Sequence, residues 1–209
     1  MFHGEKMNKF FAFAVGGLVL IGLVVAGFVI SQSMFGSNSK NRSGIIVGAP
    51  QIGGAFTLTN NKGETVTEKD FEGKLMLVFF GYTFCPDVCP TEMNVFGNVV
   101  QGLGEAAKEI TPVFITVDPT RDTVAVMDEF VQAFHPSIVG LTGTEEQINV
   151  VKKAYRAYGQ AANKKDDPDY YLVDHTSFTY LMDKDGSLAT VFSYGTSSEE
   201  IIKKIKETL

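Results

Sequence analysis

Apolar and polar positions divide this chain into three regimes. Residues 1–9 are polar, with Lys6 and Lys9 against Glu5. Residues 10–30 then run for twenty-one positions without a charge, long enough to cross a bilayer core as a helix. Residues 31–50, rich in Ser, Asn and Gly at their start, read as a flexible tether. From residue 51 onward, short apolar runs alternate with stretches of helical period. Positions 52–59 and 64–67 predict two strands around the turn Asn60-Asn61-Lys62-Gly63, a hairpin ahead of the main fold. Residues 74–82 are apolar on both faces, the pattern of a buried parallel strand.

A helix is expected from about 91 to 107, with Cys89 in its first turn and Pro90 at the first helical position. Residues 111–117 predict the next buried strand, and 123–134 a helix that Asp122 is placed to cap. A short strand at 138–141 precedes Thr144-Glu145-Glu146-Gln147, a capping box. Ile148, Val151, Tyr155 and Tyr158 then give one apolar helical face. Residues 163–169 read as a polar loop, 170–174 as a strand with His175 at its end, and 178–182 as another. Asp183-Lys184-Asp185-Gly186 turns the chain into 188–194, and a last helix runs to Leu209. Strands alternating with helices, then a hairpin and a closing helix, predict an α/β sheet layered with helices. The dithiol at the strand-to-helix turn narrows this to a thioredoxin-like fold with an extra N-terminal β-hairpin, preceded by one transmembrane helix.

Charge changes the picture in two ways. The net charge of −6, with no basic stripe, argues against nucleic acid. Lys6 and Lys9 lie close to the apolar run, whereas Lys40 and Arg42 lie about ten residues beyond its other end. That balance favours residues 1–9 as a cytoplasmic tail and residues 51–209 as a domain in a periplasm-like space. No Arg-rich, acid-poor transit peptide precedes the run, which favours a bacterial inner membrane. One anchor and one domain suggest a monomer.

Cys85 and Cys89 are the only cysteines in 209 residues. Three residues apart, they suit a disulfide, a redox dithiol or a metal site. A structural disulfide closing so small a loop would remove little entropy from the unfolded chain. A helix N-terminus stabilises thiolate, the form that attacks disulfides and binds soft metals. Two thiolates need a third ligand, and the chain offers His3, His135 and His175. His3 falls on the far side of the apolar run, and His135 before Pro136 suits a helix end. Cys85, Asp118 and His175 all follow strands, where active groups of open α/β sheets collect. His175 would complete a three-coordinate site of the kind soft thiolates and imidazole offer copper. Asp174 or Asp118 would hold its other ring nitrogen. Asp87 reads as an exposed turn residue, and Met93 as core.

Phe80-Gly81-Tyr82-Thr83-Phe84-Cys85-Pro86-Asp87-Val88-Cys89-Pro90-Thr91-Glu92 resembles the signature of the Sco/SenC copper-binding proteins. Val117-Asp118-Pro119-Thr120-Arg121-Asp122-Thr123 and Tyr171-Leu172-Val173-Asp174-His175-Thr176 resemble two further blocks of that family. The resemblance implies copper, Cu(I) and also Cu(II), held by Cys85, Cys89 and His175. It implies a role in assembling the dinuclear copper centre (CuA) of cytochrome c oxidase subunit II, with a periplasmic copper donor upstream. The rival expectation is a thiol–disulfide oxidoreductase that uses Cys85 and Cys89 to keep that subunit's cysteines reduced. A thiol peroxidase is a third.

Overall fold

In the computed structural model, residues 51–162, 167 and 170–209 are described. The expected tail, anchor and tether at 1–50 and most of the 163–169 loop lie outside them. Among the described residues no helix is long and apolar enough to cross a membrane.

Seven strands form one sheet in the order β2-β1-β5-β4-β3-β8-β9. They are β1 (Thr57–Asn60), β2 (Thr65–Thr67), β3 (Leu75–Gly81), β4 (Ile110–Thr116), β5 (Val139–Thr142), β8 (Thr179–Met182) and β9 (Leu188–Phe192). β3, β4 and β5 run parallel, β8 lies antiparallel beside β3, and β9 antiparallel beside β8. This is the thioredoxin-like arrangement. The β1–β2 hairpin extends the sheet antiparallel to β5. β3 is central because each of its seven residues is buried, and burying each large apolar side chain contributes roughly 1.5–3 kcal/mol.

Helix α1 (Val88–Leu103) links β3 to β4, and α2 (Val124–Gln132) links β4 to β5. The parallel crossovers put both on one face, where Phe79 stacks on Phe114 and Phe114 meets Phe130 of α2 at a tilt. The closing helix α4 (Ser198–Thr208) packs on α1. Helix α3 (Glu145–Tyr155) covers the other face, its Tyr155 against Phe80 and Tyr180.

Several boundaries differ from the sequence reading. α1 starts at Val88 with Asp87 as its N-cap, so Pro90 is the third helical residue. Its missing N–H still falls among those a helix start leaves unpaired. The helix ends at Leu103 because Gly104 turns to φ +56 and begins a tighter helical turn to Glu109. Thr123, not Asp122, caps α2, its hydroxyl accepting from Val126 N–H. α3 ends at Tyr155, so Tyr158 lies beyond it and is exposed. The strand carrying His175, β7 (Leu172–His175), stands outside the main sheet and pairs with β6 (Gly159–Ala162). β6 escaped the sequence reading because Gly-Gln-Ala-Ala has neither β-branched residues nor alternation.

Candidate metal centre

The site forms where the carboxyl end of β3 meets the end of the β6–β7 ribbon. Gly81 closes β3, and a turn held by Cys85 N–H to the Tyr82 carbonyl carries the chain into α1. Cys89 sits in the first turn of α1 and is fully buried, whereas Cys85 is part-exposed; both are free thiols. His175 ends β7 and is half-buried. The Sγ atoms of Cys85 and Cys89 and one ring nitrogen of His175 lie within 4.8 Å of one another. The three candidate ligands read from the sequence therefore meet.

Backbone, not carboxylate, orients the imidazole. Nδ1 lies 2.9 Å from the Thr176 carbonyl oxygen, which only accepts, so Nδ1 carries the proton. Nε2 keeps its lone pair and turns it to the thiols, 3.5 Å from Cys89 Sγ. Phe79 and Tyr82 wall the ring edge-on, at centroid distances of 5.9 and 5.6 Å. The expected roles of Asp174 and Asp118 fail for separate reasons. Asp174 precedes His175 on a strand, so its side chain projects to the opposite face and is exposed. Both carboxylate oxygens of Asp118 are engaged, one by Arg121 Nε and the other by the Tyr171 hydroxyl at 2.8 Å.

The two thiols are electrostatically unequal. The Cys89 thiol donates to Cys85 and outweighs burial, and contacts from His175 and the Asp87 and Cys89 amides add to it. Cys85 is thereby held well below the usual thiol range. Cys89 moves the opposite way, because it is the donor to Cys85, is buried, and lies beside that negative charge. Burial works against the imidazolium of His175, but the Cys85 and Thr176 contacts prevail and raise its affinity for protons. The resting pair is a part-exposed thiolate backed by a buried thiol.

Asp122 escaped the sequence reading, which took it for a cap. It is fully buried. Its carboxylate accepts from Thr83 N–H at 3.1 Å, from Thr83 Oγ1 at 2.6 Å and from Thr116 Oγ1, tying the cysteine turn to β4. Burial raises its carboxyl above the usual range against those bonds. The available signal was Thr83 and Thr116 near two strand ends, which only the parallel register brings together. Met93 is buried core and Asp87 exposed, as read. His135 bonds Ser137 across a turn rather than capping the helix.

Two thiolates and one imidazole suit a soft or borderline ion, and the exposed side leaves a position for a further ligand. Fold and trio together define a thioredoxin-like domain with a Cys-Cys-His cluster at its dithiol turn that could hold a metal ion. The chain belongs to the SCO1/SenC family, whose sequence profile matches residues 46–209. It is 41% identical over 156 residues to an SCO2-like protein of Rickettsia felis, covering 75% of this chain and 76% of that one. It is 37% identical over 195 residues to the human mitochondrial SCO1 homolog, covering 92% of this chain and 63% of the relative. Among solved structures it resembles copper-bound ScoI of Bradyrhizobium japonicum, with a TM-score of 0.70 and 41% identity, over 76% of this chain and 99% of that one.

Proposed function

We propose that this protein is a membrane-anchored copper chaperone that binds copper through Cys85, Cys89 and His175 and helps to assemble the CuA centre of cytochrome c oxidase subunit II. One observation carries the reading. Two thiol sulfurs and the unprotonated imidazole nitrogen of His175 converge within 4.8 Å of one another, with Cys85 and His175 part-exposed. Copper bound to the Bradyrhizobium relative supports it, as does the family's connection with cytochrome c oxidase assembly. Copper is cargo here, so the chain's own groups do the work. Reduced Cys85 and Cys89 with neutral His175 hold Cu(I), and an added oxygen ligand would accommodate Cu(II). Cys85 and His175, the part-exposed pair of the three, are the ones a recipient's cysteine or histidine can displace first. Cargo then passes by ligand exchange without being freed.

In this reading residues 10–30 anchor the chain in a bacterial inner membrane, residues 1–9 face the cytoplasm, and residues 31–50 tether residues 51–209 in the periplasm. The uncharged run supports the anchor. The protein acts as a monomer, receiving copper from a periplasmic donor.

One observation favours a second reading. A part-exposed, acid-shifted thiolate with a buried thiol four residues on is also the arrangement of a dithiol exchanger. It would reduce the oxidase subunit's cysteines. The two readings part at His175, which copper retention needs and exchange does not. Copper-loaded wild-type chain and His175→Ala are each incubated with metal-free subunit II, reduced or oxidised. Chaperoning predicts copper transfer to reduced subunit II from wild type only. Equal reduction of the oxidised subunit by both proteins, with no transfer from either, selects the exchanger.

A further inference from the structure

We propose that Arg121 is a positioning residue for metal binding. Its guanidinium clamps the chain leading into Cys85 against the chain leading into His175, and so sets the gap across which copper is held. This inference rests on the copper-binding reading above and names a determinant of affinity that is not itself a ligand.

Arg121 follows β4 in the segment that also holds Asp118 and Asp122. Nε donates to Asp118, and Nη1 donates to the Tyr171 carbonyl at 2.9 Å. Nη2 is buried and has no hydrogen-bond acceptor among the described residues. What surrounds the group instead is aromatic. The guanidinium carbon lies 3.6 Å from the Tyr171 ring centroid, 4.8 Å from that of Phe84 and 5.7 Å from that of Tyr82. Cation–π attraction is strongest where the cation is desolvated, and this side chain is only 12% exposed.

The three rings belong to the two arms of the site. Phe84 immediately precedes Cys85. Tyr82 packs edge-on against the imidazole of His175. Tyr171 leads into β7, whose last residue is His175, and its hydroxyl donates to Asp118, the same carboxylate that holds Arg121. Phe84 is 53% exposed, so burial alone does not fix its ring. The β6–β7 ribbon stands outside the main sheet, so no sheet ladder ties His175 to β3. A planar cation between the arms supplies the connection that the sheet lacks. Lysine would keep the charge but has no flat face and no fork of donors, so it cannot stack and bond Asp118 and Tyr171 together.

The test compares the reduced full chain with Arg121→Lys and Arg121→Met, below the melting temperature of each. Two quantities are read: Cu(I) affinity against a competing chelator, and the nuclear Overhauser contact between the His175 and Tyr82 rings without metal. The expected result is affinity lower by roughly 10- to 100-fold in both variants, the range found when groups orienting metal ligands are lost. The ring contact is weakened in parallel. A lower melting temperature with unchanged affinity and ring contact would mean a purely structural role and overturn the proposal. Should Arg121→Met not fold, Arg121→Lys decides. If wild type itself retains no copper, the chaperone reading fails, and the ring contact alone judges the clamp.

Discussion

Replacing Gly81 with alanine drives one methyl group against the sulfur of Cys89. Gly81 is the last residue of β3 and does not need a left-handed backbone, so alanine fits its conformation. A Cβ built there would stand 2.6 Å from Cys89 Sγ, 2.7 Å from Phe114 and 3.1 Å from Phe79. All three neighbours are fully buried. Comfortable carbon contacts begin near 3.5 Å, so the sulfur must move by roughly 1 Å. Metal–ligand distances tolerate only about 0.2 Å. Overpacking of this kind costs about 1–3 kcal/mol, and in a domain of this size each kcal/mol lowers the melting temperature by roughly 2–4 °C. The expected phenotype is a folded protein with a modestly lower melting temperature and copper affinity reduced at least about tenfold. The assay is chelator competition beside thermal unfolding, with Gly97→Ala as control. There the added carbon meets the Phe134 carbonyl oxygen at 3.3 Å and His135 Cβ at 3.8 Å, and neither cysteine. Wild-type copper affinity in Gly81→Ala would show that Cys89 is not held where the packing puts it.

Other consequences follow from the electrostatics. Because Cys85 is held below the usual thiol range, its thiolate stabilises the fold fully above the unfolded thiol value, and that contribution is lost as pH falls through the folded value. Iodoacetamide should therefore label Cys85 in the reduced protein at nearly the same rate at about pH 6 and about pH 8; a rate climbing steeply over that interval contradicts the assignment. Copper must displace the proton that His175 holds more strongly than a free histidine, so affinity should fall as pH drops from about 8 to about 6, and a flat profile by chelator competition argues against imidazole ligation. Asp122→Ala strips the acceptor from one buried donor, the Thr116 hydroxyl, and two part-buried ones on Thr83, and should lower unfolding free energy by about 2 kcal/mol in a urea titration; an unchanged midpoint would show that the carboxylate does not anchor the cysteine turn. Oxidation to a Cys85–Cys89 disulfide should abolish copper retention, and dithiothreitol should restore it.

The ligands were legible because each is announced by local pattern. An apolar run delivers Cys85 and Cys89 to a strand-to-helix turn, and a second run delivers His175. What holds those ligands was less legible. Asp122 looked like a cap because turn chemistry is local, whereas its donors lie on Thr83 just past the end of β3 and on Thr116 at the end of β4, strands brought together by the parallel register. Asp174 looked like the partner of His175 by adjacency, but neighbours on a strand point to opposite faces, and a backbone carbonyl took that place. The β6–β7 ribbon was half missed because Gly159-Gln160-Ala161-Ala162 carries no strand signal until β7 pairs with it. Arg121 was quoted within a motif but given no task. Its task depends on three rings that converge only in the folded chain.

The most direct test is copper stoichiometry on the reduced full chain beside His175→Ala, under a competing chelator. The account predicts one copper retained per wild-type chain and none in the variant. Copper held with equal affinity by both would remove His175 from the site and contradict the three-ligand centre.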